Sequence, residues 1–255
     1  MSFEGVPANT AIPGSPLMWD GTGYYWYNPI KDIYIEDDFV TNAATSSYSW
    51  ASTISGTGAA ISRQNSVLSD TNHPGVLVYA TGTTTTGNLC IQLQQNNGQG
   101  PLTFGGGQID IFWIFNIPTL STATDTYTIR LGFGDQPSAD MVAGAYFSYT
   151  DAATGAAWVI NTAQNSTRTQ TTTNTVVTTG WHTAHIQVNA AASSVVFQMD
   201  GVTMNVSPLS TNIPTGTANT QKCGPIFQML KSAGTTSIGL VIDKVFMFQK
   251  ITTSR

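Results

Sequence analysis

Few residues in this chain are of a type and spacing that could do covalent chemistry. Glycoside hydrolysis needs two carboxylates facing each other across a cleft. The only glutamates are Glu4 and Glu36, both near the start. Asp110 stands in Gln108-Ile-Asp-Ile-Phe-Trp113, but Gln108 and Trp113 can act neither as nucleophile nor as general acid. A serine elbow requires Gly-x-Ser-x-Gly, and Ser237, in Gly234-Thr-Thr-Ser-Ile-Gly239, is one residue out of register. The histidines are His73, His182 and His185. In a strand, residues three apart point to opposite faces, so His182 and His185 do not share a metal. Gly105-Gly106-Gly107 runs into a strand pattern and lacks the Lys and helix start of a phosphate loop. The expectation is a chain that is not an enzyme and carries no organic cofactor.

Binding chemistry is better represented. Hard cations want clustered oxygen ligands. Glu36, Asp37 and Asp38 supply three carboxylates, and Asp243 joins them if the chain ends meet, which makes calcium the candidate ion. The competing and commoner arrangement is a solvated edge whose repulsion Lys31 or Lys244 relieves. Sugar binding wants aromatic platforms with amide and hydroxyl donors nearby. Trp158 and Trp181 are the candidates, with Asn161, Gln164 and Asn165 close in sequence. Core packing, the commoner fate of a tryptophan, competes with that role.

Composition and charge bound the rest. Charged residues make up 9% of the 255 positions, against about 25% in an average soluble protein. Thr supplies 39 positions and Gly 24, while 41% of the chain is hydrophobic. This is a folded protein whose surface is hydroxyl and amide rather than ionic. Nine Lys and Arg against fourteen acids cannot neutralise a phosphate backbone, which argues against a nucleic-acid partner. No apolar run exceeds five residues, as in Ile111 to Phe115, far short of the roughly 20 a membrane helix needs. Two cysteines, Cys90 and Cys223, are too few for a disulfide framework. The opening Met-Ser-Phe-Glu-Gly lacks the basic and apolar stretches of a secretory signal, so synthesis in the cytoplasm is expected.

The elements that must position these residues are strands. Gln108 to Ile117 puts Ile109, Ile111, Trp113, Phe115 and Ile117 on one face. The other face carries Gln108, Asp110 and Asn116, with Phe112 and Ile114 between them, so it too is partly buried. Tyr127, Ile129, Leu131 and Phe133 alternate with smaller or polar residues. Val195 to Met199 turns at Asp200-Gly201, a strong hairpin signal. Ile238 to Phe248 is apolar on both faces except at Asp243 and Lys244. Thr83–Thr86 and Thr167–Thr179 read as edge strands or loops. Gln221 to Lys231 could hold one helical turn, weakened by Pro225. Many short strands with Gly, Asn and Thr turns predict an all-β antiparallel sandwich over residues 36–255. Residues 1–35 differ. Six of the fourteen acids but only one base, Lys31, fall within residues 1–38, so the net charge of −5 sits there. Four prolines by residue 29 disfavour regular structure. Trp19, Tyr24, Tyr25, Trp26 and Tyr27 need a surface to be buried against. The segment is expected to be an extended arm that docks on its own domain, a sister subunit or another protein.

Glu36-Asp-Asp-Phe-Val40, Arg130-Leu-Gly-Phe-Gly-Asp135, Ala145-Tyr-Phe-Ser-Tyr149, Trp158, Trp181-His182, Phe197-Gln-Met-Asp-Gly201 and Ile242-Asp-Lys-Val245 follow one another in an order that resembles the concanavalin A-like jelly-roll sandwich. The strand around Asp110 resembles the glucanase motif of that superfold, with both flanking glutamates missing. Asn165-Ser-Thr-Arg-Thr169, Thr211-Asn-Ile-Pro214 and Lys231-Ser-Ala-Gly-Thr-Thr236 add a likeness to the versions found in virion proteins of tailed bacteriophages. The resemblance covers about residues 36–255. It implies a structural component of a virion, either a capsid decoration or a tail fibre or adaptor. Such a protein would be assembled in the host cytoplasm, would partner other virion proteins and would form a homo-oligomer, with a trimer favoured. The arm aromatics would then be its assembly anchors. A carbohydrate-binding module meeting host-surface glycan is the alternative, because the superfold hosts both.

Overall fold

The computed structural model describes residues 17–19, 24–26, 32–39, 50–64, 72–93, 100–150, 156–216, 218 and 221–252. Two antiparallel sheets pack face to face. The seven-stranded sheet runs in the order β12 (Thr167–Val176), β11 (Ala157–Gln164), β10 (Gly144–Thr150), β9 (Tyr127–Gly134), β16 (Gly224–Lys231), β7 (Gly87–Leu93) and β4 (Trp50–Ser55). The eight-stranded sheet runs β15 (Val202–Thr203), β14 (Val195–Met199), β13 (Gly180–Val188), β8 (Ile109–Ile117), β17 (Gly239–Lys250), β6 (Val76–Ala80) and β5 (Ala60–Gln64), with β3 (Asp32–Asp37) also paired to β17. No α-helix occurs among the described residues. The predicted sandwich is therefore the observed one.

Alternation builds the core. Ile109, Ile111, Trp113, Phe115 and Ile117 of β8 are fully buried, as are Tyr127, Ile129, Leu131 and Phe133 of β9. Between the sheets the rings meet edge to face: Phe115 on Trp158 and Phe227, Phe147 on Phe197, and Trp113 on Phe227; within the seven-stranded sheet Phe147 meets Trp158 in the same way. Such pairs add about 0.5–1.5 kcal/mol each beyond area burial. The Asp200-Gly201 hairpin joins β14 to β15 with both residues left-handed, at φ 53° and 76°, as a type I′ turn requires. The Thr-rich run 167–176 is the edge strand of its sheet.

Three features differ from the sequence reading. The segment that could have held a helical turn is strand β16, paired on both sides. Pro225 is tolerated because it sits at the second residue, where ladder bonding to β7 has not begun. The sandwich begins inside the presumed arm, since β3 starts at Asp32 and pairs with β17 from Asp32↔Lys250 to Asp37↔Val245. Two short strands, β1 (Leu17–Trp19) and β2 (Tyr24–Trp26), pair with each other between Pro16 and Pro29, and with neither sheet among the described residues.

Strand β17 holds the eight-stranded sheet together. One edge pairs with β8 along most of its length, and the other passes from β6 (Gly239–Ile242) to β3 (Val245–Lys250). At the handover, Ile242 opposes Phe115 and Lys244 opposes Ile114, so Asp243 is the extra residue of a β-bulge. The bulge inverts the face parity. Ile242, Val245 and Met247 point into the core, while Lys244 and Phe246 point out.

Candidate functional site

The outer face of the eight-stranded sheet carries a row of rings across four strands. His185 of β13 stacks on Phe112 of β8, with centroids 4.0 Å apart and planes 5° from parallel. Phe112 meets Phe246 of β17 at 5.7 Å, and Tyr34 of β3 stands edge-on to Phe246 at 5.3 Å. Register makes the row: His185 opposes Phe112, Phe112 opposes Phe246, and Phe246 opposes Glu36, beside Tyr34. Tyr34, Phe112, Ile114, Phe246, Thr183, Glu36 and Lys244 line an open groove of about 390 Å³.

One side of the groove is charged. Lys244 Nζ contacts Glu36 and lies 3.1 Å from Asp38, and the Tyr34 hydroxyl donates to Glu36. Hydrogen bonds from Lys244 and Tyr34 hold the Glu36 carboxyl below its ordinary value despite partial burial. Burial works against the Lys244 ammonium, but its bonds to Glu36 and Asp38 outweigh that and raise its pKa. The other side is a polar shelf. Asp110 Oδ1 accepts from Gln187 at 2.8 Å and lies 2.9 Å from His185 Nε2, while Oδ2 accepts from Gln108 at 2.9 Å. His185 Nδ1 lies 3.2 Å from Gln198. A carboxylate can only accept, so Gln108 and Gln187 turn their NH₂ groups towards Asp110.

The proposed calcium ligands do not form a set. Glu36 and Asp38 share Lys244. Asp37 accepts from Trp50 Nε1 and the Phe39 amide, both at 2.9 Å. Asp243 lies 3.0 Å from His73 Nδ1, and burial raises its pKa against the opposing pull of His73. Among the described residues no three His, Cys, Asp or Glu side chains converge as a metal site. Each of the four carboxylates is instead engaged by a protein donor: Glu36 and Asp38 by Lys244, Asp37 by Trp50, and Asp243 by His73.

The tryptophans separate. Trp158 is 1% exposed, packed edge-on against Phe115 and Phe147, and so cannot face a sugar. Trp181 is on the outer face, half-buried, with His73 flat on its ring at 3.6 Å, so one ring face is already covered. Asn161 is buried and donates to Ser148, Gln164 donates to Gln221, and Asn165 sits at φ 51° in the β11–β12 turn. His182 and His185 do face opposite ways. His182 points inwards at 6% exposure between Asp200 and the Thr178 carbonyl. Trp19, Tyr24, Tyr25 and Trp26 lie on the β1–β2 ribbon, and Tyr27 lies outside the described residues. Tyr34, Phe112, Phe246 and His185 were not singled out from sequence as binding residues; the usable signal was apolar residues on both faces of β8 and β17.

The outer face of the seven-stranded sheet is differently occupied. Asp140 pairs with Arg130 at 3.1 Å and Arg168 at 3.0 Å and accepts from Tyr146. Asp135 accepts from the Val142 and Ala143 amides, and burial raises its pKa in spite of those bonds. These contacts fasten the segment between β9 and β10 to its sheet.

Two packed antiparallel sheets with a groove on one outer face define a lectin-like β-sandwich. The SO2946-like C-terminal domain matches residues 72–243, and the chain belongs to that family. It is similar to SO2946 of Shewanella oneidensis MR-1, a protein of unknown function, at 15% identity and a TM-score of 0.63, covering 88% of this chain and 89% of that one. It is also similar to the carbohydrate recognition domain of Emp47p, at 12% identity and a TM-score of 0.56, covering 88% and 100%. At these identities the likeness shows the fold. A carbohydrate esterase of bacteriophage phi24B aligns at 13% identity over 79% of this chain and 90% of that one, with a TM-score of 0.47, too low to carry the phage part of the resemblance. A comparison with curated proteins finds no match.

Proposed function

We propose that the chain is a non-enzymatic carbohydrate-binding module that meets its glycan on the outer face of the eight-stranded sheet. The observation that carries this reading is the His185–Phe112–Phe246–Tyr34 row. Its rings stack, tilt and stand edge-on to one another along an open groove bordered by hydroxyl and charged groups, the composition of a polar-ligand site. The fold shared with the Emp47p carbohydrate recognition domain supports it. The side-chain partners of Asp110 among the described residues are two glutamines and a histidine, which favours binding over hydrolysis. The test is a glycan array probed with the full chain and with Phe246→Ala. A set of glycans bound by the first and lost by the second, at unchanged fold by circular dichroism, is expected. Equal binding by both would place the sugar elsewhere.

A second reading, that the module is an attachment component of a virion, rests on the β1–β2 ribbon. It pairs with neither sheet among the described residues and carries four of the five arm aromatics. Light scattering of the full chain is expected to give a trimer, and substitution of Trp19, Tyr24, Tyr25 and Trp26 by Ser a monomer. A monomeric full chain would remove the assembly role.

A further inference from the structure

One end of the eight-stranded sheet's outer face is covered. Phe248 of β17 continues the outward set of Lys244 and Phe246, opposite Tyr34 of β3. Phe246 is half-buried, whereas Phe248 is 3% exposed and takes no part in the core between the sheets. Asp32, on the same face at the start of β3, is 4% exposed. We infer that the cover is the β1–β2 ribbon of the same chain, laid on this sheet at Phe248. The inference is independent of the carbohydrate reading and competes with the assembly reading for the same aromatic residues.

Three observations converge on that occupant. The first is connection. Residues 27–31 alone separate Trp26 from Asp32, so the end of β2 lies within roughly 20 Å of the first residue of β3. Phe248 opposes Tyr34, two positions further along β3, and is within the ribbon's reach. The second is need. A two-stranded ribbon is marginal alone in water, and this one has three residues in each strand and pairs with neither sheet among the described residues. The third is register. Leu17 opposes Trp26 and Trp19 opposes Tyr24, which places these four positions on one face of the ribbon and Met18 and Tyr25 on the other. Burying a ring of this size removes roughly 150–250 Å² from water, and the Trp19–Trp26 face is the one with most to gain. The short tether gives the ribbon a high effective concentration at its own sheet, which favours this sheet over that of a second copy.

Iodide quenching of tryptophan emission in the full chain tests this. The emission of the ribbon tryptophans is the difference between the parent and a Trp19→Phe/Trp26→Phe variant. It is expected to be shielded from iodide in the parent and in Met18→Ser/Tyr25→Ser, and to become accessible in Phe248→Ala. Phe248→Leu keeps an apolar residue in β17, so that its fold is retained, and is expected to give a smaller change in the same direction. Mixing separates the sister copy from the same chain. Phe248→Ala chains receive an excess of Trp19→Ser/Trp26→Ser chains, whose sheet is intact and whose ribbon lacks tryptophan. Accessibility is expected to stay unchanged. Restored shielding would seat the ribbon on a second copy and overturn the inference in favour of the assembly reading. Accessible emission in the parent, or shielding unmoved by both Phe248 substitutions, overturns it outright. Exposure caused by Met18→Ser/Tyr25→Ser instead would overturn the docking face.

Discussion

Asp135 and Glu36 show how the same side-chain chemistry is used in opposite senses. At Asp135 the cost of burial exceeds the gain from two amide bonds, so the folded pKa is raised. The folded state then holds the proton to higher pH than the unfolded chain, and the contribution to stability declines as pH rises through that raised value. Asp135→Asn keeps an oxygen for Val142 and Ala143 without the charge, and urea denaturation at neutral pH is expected to find it at least as stable as the parent. Its advantage should disappear towards pH 3. Asp135→Ala leaves both amides unpaired and is expected to cost about 1–3 kcal/mol. Glu36 runs the other way. Its folded pKa is lowered below 4.5, so its contribution is present above that value and is lost as pH falls through the folded pKa. Lys244, raised above 10.5, loses its contribution as pH rises through its own folded pKa. The pair is a third exposed, which limits its worth to about 1 kcal/mol. A flat stability profile at this clamp between pH 5 and 9, with losses only outside, is the expected result. The engagement of Glu36 and Asp38 by Lys244 was foreshadowed by their types. That of Asp243 by His73 was not, because 170 positions separate the partners.

Strands β8 and β17 set the limit of what periodicity reveals. In β8 the inward set of Ile109, Ile111, Trp113, Phe115 and Ile117 follows from alternation alone, and Asp200-Gly201 announces its hairpin. The groove does not follow. Unbroken alternation from Ile242 would place Lys244 and Phe246 in the core, and only the bulge at Asp243 turns them outwards. The bulge arises where one edge of β17 changes partner, a long-range event that no local pattern encodes. Removing the extra residue leaves the faces unchanged, with Ile242 in, Lys244 out and Val245 in. A chain lacking Asp243 is therefore expected to fold and to retain the ring row. Inserting one glycine between Val245 and Phe246 would drive Phe246 inwards and Met247 into water. That change should cost on the order of 2–5 kcal/mol in thermal or urea unfolding and abolish binding. Similar losses in both variants would show that the bulge does not set the face.

For the whole molecule, strand density, turn chemistry and sparse charge made the sandwich legible, because each strand buries one face against the opposing sheet whatever its neighbours. Which strands lie side by side was not legible. Tyr34, Phe112 and Phe246 come from three distant parts of the chain, and their adjacency is a property of topology. Trp158 illustrates the converse: a residue type suited to sugar binding was claimed by the core, packed against Phe115 and Phe147. Trp158→Ala is expected to lose about 3–5 kcal/mol of stability, while Trp158→Phe should bind glycan as the parent does. The most direct test of the binding face compares affinity for the best array glycan among the full chain, Phe246→Ala and Gln170→Ala. Gln170 is exposed on the edge strand of the opposite sheet. Loss of at least about tenfold, or 1.4 kcal/mol, in Phe246→Ala with Gln170→Ala unchanged is the predicted result. The reverse pattern would move the site to the other sheet and contradict the assignment.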